Sequence, residues 1–213
     1  MNFKIIYEDE NILVIDKPAG LNSDAIANRV HRLDKDTSGI LLIAKNDKPL
    51  DFLQKQFQAR KTEKKYLALV VGNLKNKEGV IETLLGRSPQ DRRKQKVFLA
   101  KEPGAEGKRE AITKYKVLQR FENYDLIEIE PKTGRKHQIR IHFAYLGHPL
   151  AGDRLYSFKN QKTPLGLKRQ FLHASYLKIE LPNGEVKEFK SELAKDLKEV
   201  LDNLAYDNQT RNI

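Results

Sequence analysis

The chain has 213 residues, 39% hydrophobic and 32% charged, which supplies enough apolar side chains for the packed core of one large domain. It has no cysteine, which excludes disulfides, thiol nucleophiles, thiolate zinc sites and iron–sulfur clusters. Its 40 Lys and Arg against 29 Asp and Glu leave a net charge of +11, an excess suited to a polyanionic partner because each phosphate contact releases condensed counterions.

Met1 to Glu10 holds no apolar stretch of signal-peptide length, and runs such as Ile40–Ala44 are too short to cross a membrane, so a cytoplasmic protein is expected. Residues 3–7 and 12–15 read as short strands with Asn11 at the bend, and the second runs into the turn Lys17-Pro18-Ala19-Gly20. Ile40–Ala44 is continuously apolar and reads as a buried strand. Asp47 is placed to cap a helix with Pro49 in its first turn and Leu50, Leu53 and Phe57 on one face. Tyr66–Val71 is β-rich and ends at Gly72; residues 79–85, 93–99 and 111–119 read as further strands, with the basic stretch Arg87–Lys96 among them. Leu126–Glu130 alternates apolar and acidic residues, the pattern of a half-exposed strand.

The period then changes. Ile139, Phe143 and Leu146 fall on one helical face, with Thr133 near the expected start and Gly147 and Pro149 at the end. Leu177–Leu181 and Val186–Phe189, joined through Asn183-Gly184, read as a hairpin. Ser191 is placed to cap a last helix carrying Leu193, Leu197, Val200, Leu201 and Leu204. No repeat or long linker interrupts the chain, so a single α+β domain over residues 1–205 is expected, with a polar tail, 206–213, that should fray.

Motifs for cofactors are weak. Gly104-Ala-Glu-Gly107-Lys108-Arg109 has neither the spacing nor the following Ser or Thr of a phosphate loop, and no dinucleotide fingerprint occurs. The histidines are 31, 137, 142, 148 and 173; His137 and His142 lie five apart, not on one helix face, so neither a metal nor another cofactor is expected.

Two polar segments concentrate the reactive side chains: His31-Arg-Leu-Asp34-Lys-Asp-Thr-Ser-Gly39, which feeds the buried strand, and Gly134-Arg-Lys-His-Gln-Ile-Arg140, which is expected to open a helix. A carboxylate near an Arg stays ionised. An ordinary salt-bridged loop and a solvated helix start would read the same way, because structural ion pairs also perturb acids.

These segments, with others in order, resemble the RluA-type pseudouridine synthases in their compact form without an S4 domain. The stretches that carry the likeness are Tyr7–Gly20, His31–Lys45, Lys64-Lys-Tyr66-Leu-Ala-Leu-Val, Gly134–His142, Gly147-His-Pro-Leu-Ala-Gly152-Asp153 with Tyr156, and Phe171-Leu-His173-Ala. The resemblance implies a mixed, mostly antiparallel sheet of about eight strands with flanking helices around a central catalytic cleft. It implies that Asp34 is the nucleophile, that Tyr66 stacks on the target base and takes part in proton removal, and that Arg140 pairs with the catalytic Asp. It implies that Arg32 fills the gap left by the flipped uridine, with His31, Lys17, Arg135, His137 and Gln138 as further RNA contacts. The partner implied is structured RNA, ribosomal or transfer, and the protein is expected to act as a monomer.

The implied chemistry breaks a ribose–nitrogen bond, turns the base, and joins uracil carbon 5 to the same sugar carbon. A carboxylate can form the covalent intermediate and a base removes the proton, without redox agent or metal. The basic clusters Arg60–Lys65 and Arg92–Lys96 would contact the RNA backbone or form a plain solvated surface. Two features depart from the family pattern. Only Leu21–Val30 separates Gly20 from His31, which leaves open either thinner RNA contacts or a less supported active-site loop, and Ser157 stands where Gly is usual. The short segment keeps open an RNA-binding protein of the same fold without catalysis, and Asp34 with Asp36 keeps open a glycosidase-like pair of carboxylates.

Overall fold

The structure is a computed structural model that describes residues 3–210, with side-chain surroundings through Tyr206. Its strands are β1 (Lys4–Glu8), β2 (Ile12–Lys17), β3 (Ser38–Ala44), β4 (Glu63–Val71), β5 (Glu78–Arg87), β6 (Gln95–Phe98), β7 (Arg109–Arg120), β8 (Tyr124–Pro131), β9 (Leu172–Glu180) and β10 (Val186–Lys190). The helices are α1 (Asp47–Gln58), α2 (Gln138–Tyr145) and α3 (Lys195–Thr210). The α+β class and the mostly antiparallel pairing are as expected, with ten strands among the described residues where the resemblance implied about eight. No helix among them is long and apolar enough to cross a membrane.

The described residues fall into two compact units. The first comprises the chain up to Tyr66 together with Leu172–Ala194. Its strands run in the order β1-β2-β3-β9, with β10 on β9. β2 and β3 are antiparallel over Ile12↔Ala44 to Lys17↔Gly39, while β3 and β9 meet in parallel at Ser38↔His173 and Gly39↔Ala174. That parallel junction requires glycine: at φ +110° a Cβ on residue 39 would stand 2.2 Å from the Ala174 carbonyl oxygen. The near-continuous apolar sequences of β2 and β3 make a core with Leu177, Ile179 and Phe189, onto which α1 lays Leu53 with Leu50 and Phe57 beside it. Fully burying a leucine such as Leu53 is worth about 1.5–3 kcal/mol. The Asn183-Gly184 hairpin sets the β9–β10 register, Gly184 taking φ +84°.

The second unit comprises Leu67–Phe171 and α3. Its strands run β4-β8-β7-β5-β6, and β7 pairs antiparallel along much of its length with both β5 and β8. Ile141 of α2 packs against Leu85, Val97, Ala111 and Tyr156. α3 buries Leu197 and Val200 and is tied down by a bidentate pair from Arg169 to Asp196, at 2.7 and 2.9 Å.

Several boundaries differ from the sequence reading. α2 begins at Gln138, not near Thr133, because the Thr133 hydroxyl and the Gln138 carboxamide bond to each other and His137 takes a left-handed φ of 57°. Ser191 does not cap the last helix: its N–H donates to the Ser175 carbonyl and its hydroxyl to the Glu192 carbonyl, and α3 starts at Lys195, beyond Leu193. Asn46, not Asp47, occupies the N-cap of α1 and makes no side-chain capping bond, so Asp47 acts through its charge in the first turn. β8 is mostly buried; only Glu128 and Glu130 alternate outward. α3 continues through Thr210, across most of the segment expected to fray, and residues 211–213 lie outside the described residues.

Candidate active site

In the first unit the loop His31–Thr37 enters β3, and Asp34 sits in it half-buried, its carbonyl accepting the Thr37 N–H at 3.0 Å. The loop is held by polar groups from the preceding turn. The Lys17 side chain is fully buried, and its ammonium donates to the carbonyls of Pro18, Leu21 and Lys35 at 2.8, 3.0 and 3.1 Å. Ser23, also buried, donates its hydroxyl to the Leu33 carbonyl at 2.7 Å and accepts the Leu33 N–H at 3.3 Å. The short Leu21–Val30 segment therefore supports the loop, against one of the two alternatives that its length left open, by supplying the Leu21 carbonyl and Ser23. The expectation of an RNA contact from Lys17 is corrected for the same reason: its ammonium is spent on closing the loop.

At the loop's exit the Ser38 hydroxyl lies 3.0 Å from Nδ1 of His173, both side chains buried at the parallel junction. His31 stacks on Phe57 with ring centroids 4.8 Å apart, and its Nε2 accepts the Leu42 N–H at 3.1 Å. Burial, with the nearby Lys64 charge, pushes its pKa down to about 3, so the ring is neutral and offers RNA no charge; it props the loop. Arg32 differs: its side chain is 46% exposed, with Asp24 only at 4.0 Å, so its guanidinium faces solvent.

Tyr66 packs against the cluster of Ile15, Leu33, Leu41 and Ala174. Burial raises its phenol pKa well above the ordinary value, and the negative charge of Asp34 raises it further. Its contact with Leu33, the residue before Asp34, brings the phenol to this loop although positions 34 and 66 lie 32 apart in the chain.

In the second unit Arg140 projects from the first turn of α2, 7% exposed. Its Nε and Nη2 donate to the two carboxylate oxygens of Asp153 at 2.7 and 2.9 Å, and its guanidinium lies 5.2 Å from the Tyr156 ring centroid. Asp153 Oδ1 also accepts the Leu155 and Tyr156 N–H groups at 2.9 and 3.1 Å. Burial alone would push the Asp153 carboxyl up; the hydrogen bonds and charge of Arg140, with the two N–H groups, outweigh it and hold the group below the usual carboxylate range.

Beneath α2 runs a buried polar chain. Gln138 Oε1 accepts from the Thr133 hydroxyl and the Arg135 N–H at 2.7 and 2.9 Å, and its Nε2 donates to the Ile112 carbonyl and the Thr113 hydroxyl at 3.0 and 2.9 Å. His142 stands between the Thr113 and Thr83 hydroxyls at 2.8 and 3.0 Å, and burial lowers its pKa to about 4. Gln138, 4% exposed with both ends of its amide engaged, is therefore a scaffold for the 133–138 loop and not the RNA contact expected of it. His137 Nδ1 meets the Tyr156 hydroxyl at 2.9 Å, and Arg135 Nε donates to the Glu110 carbonyl at 2.9 Å, each side chain being half-buried.

The sequence motifs include Asp153, Ser38 and His173 without giving them a role, and His142 is weighed there only as a metal ligand. An acid directly after a turn glycine, Gly152-Asp153, was the available signal for the first. His142 on α2 meets threonines of β7 and β5, and Ser38 meets His173 across the β3–β9 junction; nothing in local spacing marks these contacts.

The sequence profile of a family described as RNA pseudouridylate synthase matches residues 24–145. A protein of Aquifex aeolicus named an uncharacterized RNA pseudouridine synthase is 42% identical over 189 residues, covering 75% of this chain and 58% of its own length. The ribosomal large subunit pseudouridine synthase D of Borreliella burgdorferi is 36% identical over 222 residues, covering 90% of this chain and 65% of its own. The chain thus spans less than two thirds of the length of either relative. Among solved structures, human RNA pseudouridylate synthase domain containing 1 superposes with a TM-score of 0.78 at 25% identity, covering 96% of this chain and 95% of that one.

Proposed function

Because the chain belongs to the RNA pseudouridylate synthase family, we propose that it isomerises uridines in structured RNA, most readily large-subunit ribosomal RNA, with Asp34 as nucleophile. The observation that carries this is the Asp34–Tyr66 neighbourhood: a carboxylate on a loop tethered by Lys17 and Ser23, with the half-buried Tyr66 packed against Leu33 next to it. A carboxylate held on such a loop can form the covalent adduct as the ribose–nitrogen bond breaks. The freed base turns, carbon 5 bonds to the sugar carbon as the Asp34–sugar bond breaks and the carboxylate is restored, and the proton on carbon 5 leaves to a base while N1 takes up a proton.

Tyr66 rests as a phenol through neutral pH, because both burial and the Asp34 charge oppose its ionisation. In the resting enzyme it offers a flat face and a hydrogen-bond donor. Stacking on that face returns about 1–3 kcal/mol per base, of the order of the few kcal/mol that flipping costs. When Asp34 becomes an uncharged ester its part of the opposition disappears, so the phenol is a better acid in the adduct than before it. Arg32, solvent-facing, is the group assigned to the vacated place in the stack. Arg140, oriented by Asp153, is the arginine to which the family likeness gives a catalytic role.

Asp34→Asn tests the reading. Pseudouridine mapping of RNA incubated with the variant should find none, while RNA affinity stays within about twofold of the unsubstituted protein, since phosphate contacts dominate affinity. Undiminished conversion by the variant removes Asp34 from the chemistry. RNA binding with no conversion by the unsubstituted protein leaves only the non-catalytic reading.

A further inference from the structure

The second unit contains a surface cavity of about 260 Å³ lined by Gly152, Asp153, Arg154, Ser157, Gln161, Thr163, Leu167 and Lys168. Sites for drug-sized molecules are larger, roughly 300–1,000 Å³, so this one suits a small group such as one phosphate with its sugar. The lining is polar and cationic. From Arg154 to Lys168 the chain carries Arg154, Lys159, Lys162 and Lys168 and no Asp or Glu. The one acid at the cavity, Asp153, is already engaged bidentately by Arg140. The pocket is therefore a concave patch of uncompensated positive charge with hydroxyl donors from Ser157 and Thr163, all exposed.

Its walls are preformed. On one side the Gly152 turn lies so close to the Arg169 backbone that a Cβ there would stand 2.1 Å from the Arg169 carbonyl oxygen. On the other side Arg169 is fixed to α3 through Asp196. Arg154 Nη2 donates to the Lys168 carbonyl at 3.1 Å and bridges the two walls, while Gln161 accepts the Phe158 N–H at 3.1 Å and closes the turn beneath. A guanidinium held in place by backbone, as that of Arg154 is, loses little entropy when an anion enters.

We propose that this cavity is a phosphate subsite for the RNA backbone, in which Arg154, Lys168, Ser157 and Thr163 receive one phosphodiester. The inference rests on the RNA-modifying reading above and goes further by naming where a substrate strand is registered. Asp153 links the two roles, since the same carboxylate lines the cavity and orients Arg140. A strand seated here has its register set against a carboxylate that fixes the proposed catalytic arginine.

The test measures binding of a fluorescently labelled, uridine-containing RNA hairpin at several salt concentrations, in an Asp34→Asn background so that no turnover intervenes. Arg154→Gln with Lys168→Gln should weaken binding roughly tenfold and reduce the slope of log K against log salt by about 0.7–0.9, one phosphate neutralised. Arg154→Lys keeps the charge and should keep the slope. The control is Lys114→Gln with Lys116→Gln, the same charge change on β7, where these positions stand in register with Glu130 and Glu128 on β8. That control should change affinity less than twofold. Equal weakening by both pairs shows only an effect of net charge and overturns the subsite, as does no weakening by the Arg154/Lys168 pair. These outcomes are independent of catalysis: if the protein with Asp34 intact makes no pseudouridine in the same hairpin while the cavity variants lose binding as described, the enzymatic reading fails and the subsite stands.

Discussion

Replacing Asp153 by Asn keeps the side chain's shape and removes its charge. With its oxygen in the Oδ1 position the amide still accepts the Leu155 and Tyr156 N–H groups and Arg140 Nη2. Its NH2 then faces Arg140 Nε, where a 2.7 Å charge-assisted bond is exchanged for a donor–donor contact. Arg140 and Asp153 are 7% and 1% exposed, so solvent does little to repair the loss. Breaking a buried pair from one side costs about 3–5 kcal/mol. For a chain of this size that is a fall in melting temperature of about 6–20 °C. Single-turnover pseudouridine formation should fall with it, because Arg140 loses its orientation.

The pH dependence separates this account from general damage. Asp153 has a folded pKa below its unfolded value, so its stabilisation is present above about pH 4 and is lost as pH falls through the lower folded value. Asp153→Asn should remove that part of the acid-side decline while lowering stability throughout the neutral range. A second check uses both partners: Arg140→Gln with Asp153→Asn should cost less than the sum of the single changes, because each single change strands the other partner. Thermal and urea melts of the four proteins between pH 3 and 8 supply the data. Additive losses, or a drop below about 1 kcal/mol for Asp153→Asn, would refute the claim that this pair positions Arg140.

Other expectations are more direct. His31 and His142 should both remain neutral at pH 6, where an ordinary histidine is largely protonated, because burial holds them near 3 and 4. Their lowered pKa values give stability that is full above about pH 6.5 and lost as pH falls through that window; nitrogen NMR shifts report the titrations, and a midpoint near 6.5 for either ring contradicts its described environment. Gly39→Ala should cost more than about 3 kcal/mol or prevent soluble expression, because the new Cβ would lie 2.2 Å from a backbone oxygen; a melting temperature within 2–3 °C of the parent would show that the β3–β9 junction can open. Tyr66→Phe should bind RNA within about twofold of the parent yet convert uridine more slowly, whereas Tyr66→Ala should lose the stacking worth about 1–3 kcal/mol; equal conversion by the Phe variant and the parent removes the hydroxyl from the chemistry.

The sequence determined the β2, β3 and β4 core strands, the amphipathic α1 and the Asn-Gly hairpin, because each is written in local periodicity or in a turn residue with one conformational solution. It also singled out Asp34, Tyr66 and Arg140, through the resemblance of the segments that hold them to a known family. Only tertiary structure decided what each polar side chain is used for. Lys17 and Gln138 read as RNA contacts in the chain, yet one closes a loop onto three carbonyls and the other braces the segment before α2. Asp153 gained its importance from an arginine 13 positions earlier, and His173 from a serine 135 positions away. A buried polar group must find a partner, and that partner is chosen by how strands and helices pack, a relation that one-dimensional spacing does not contain.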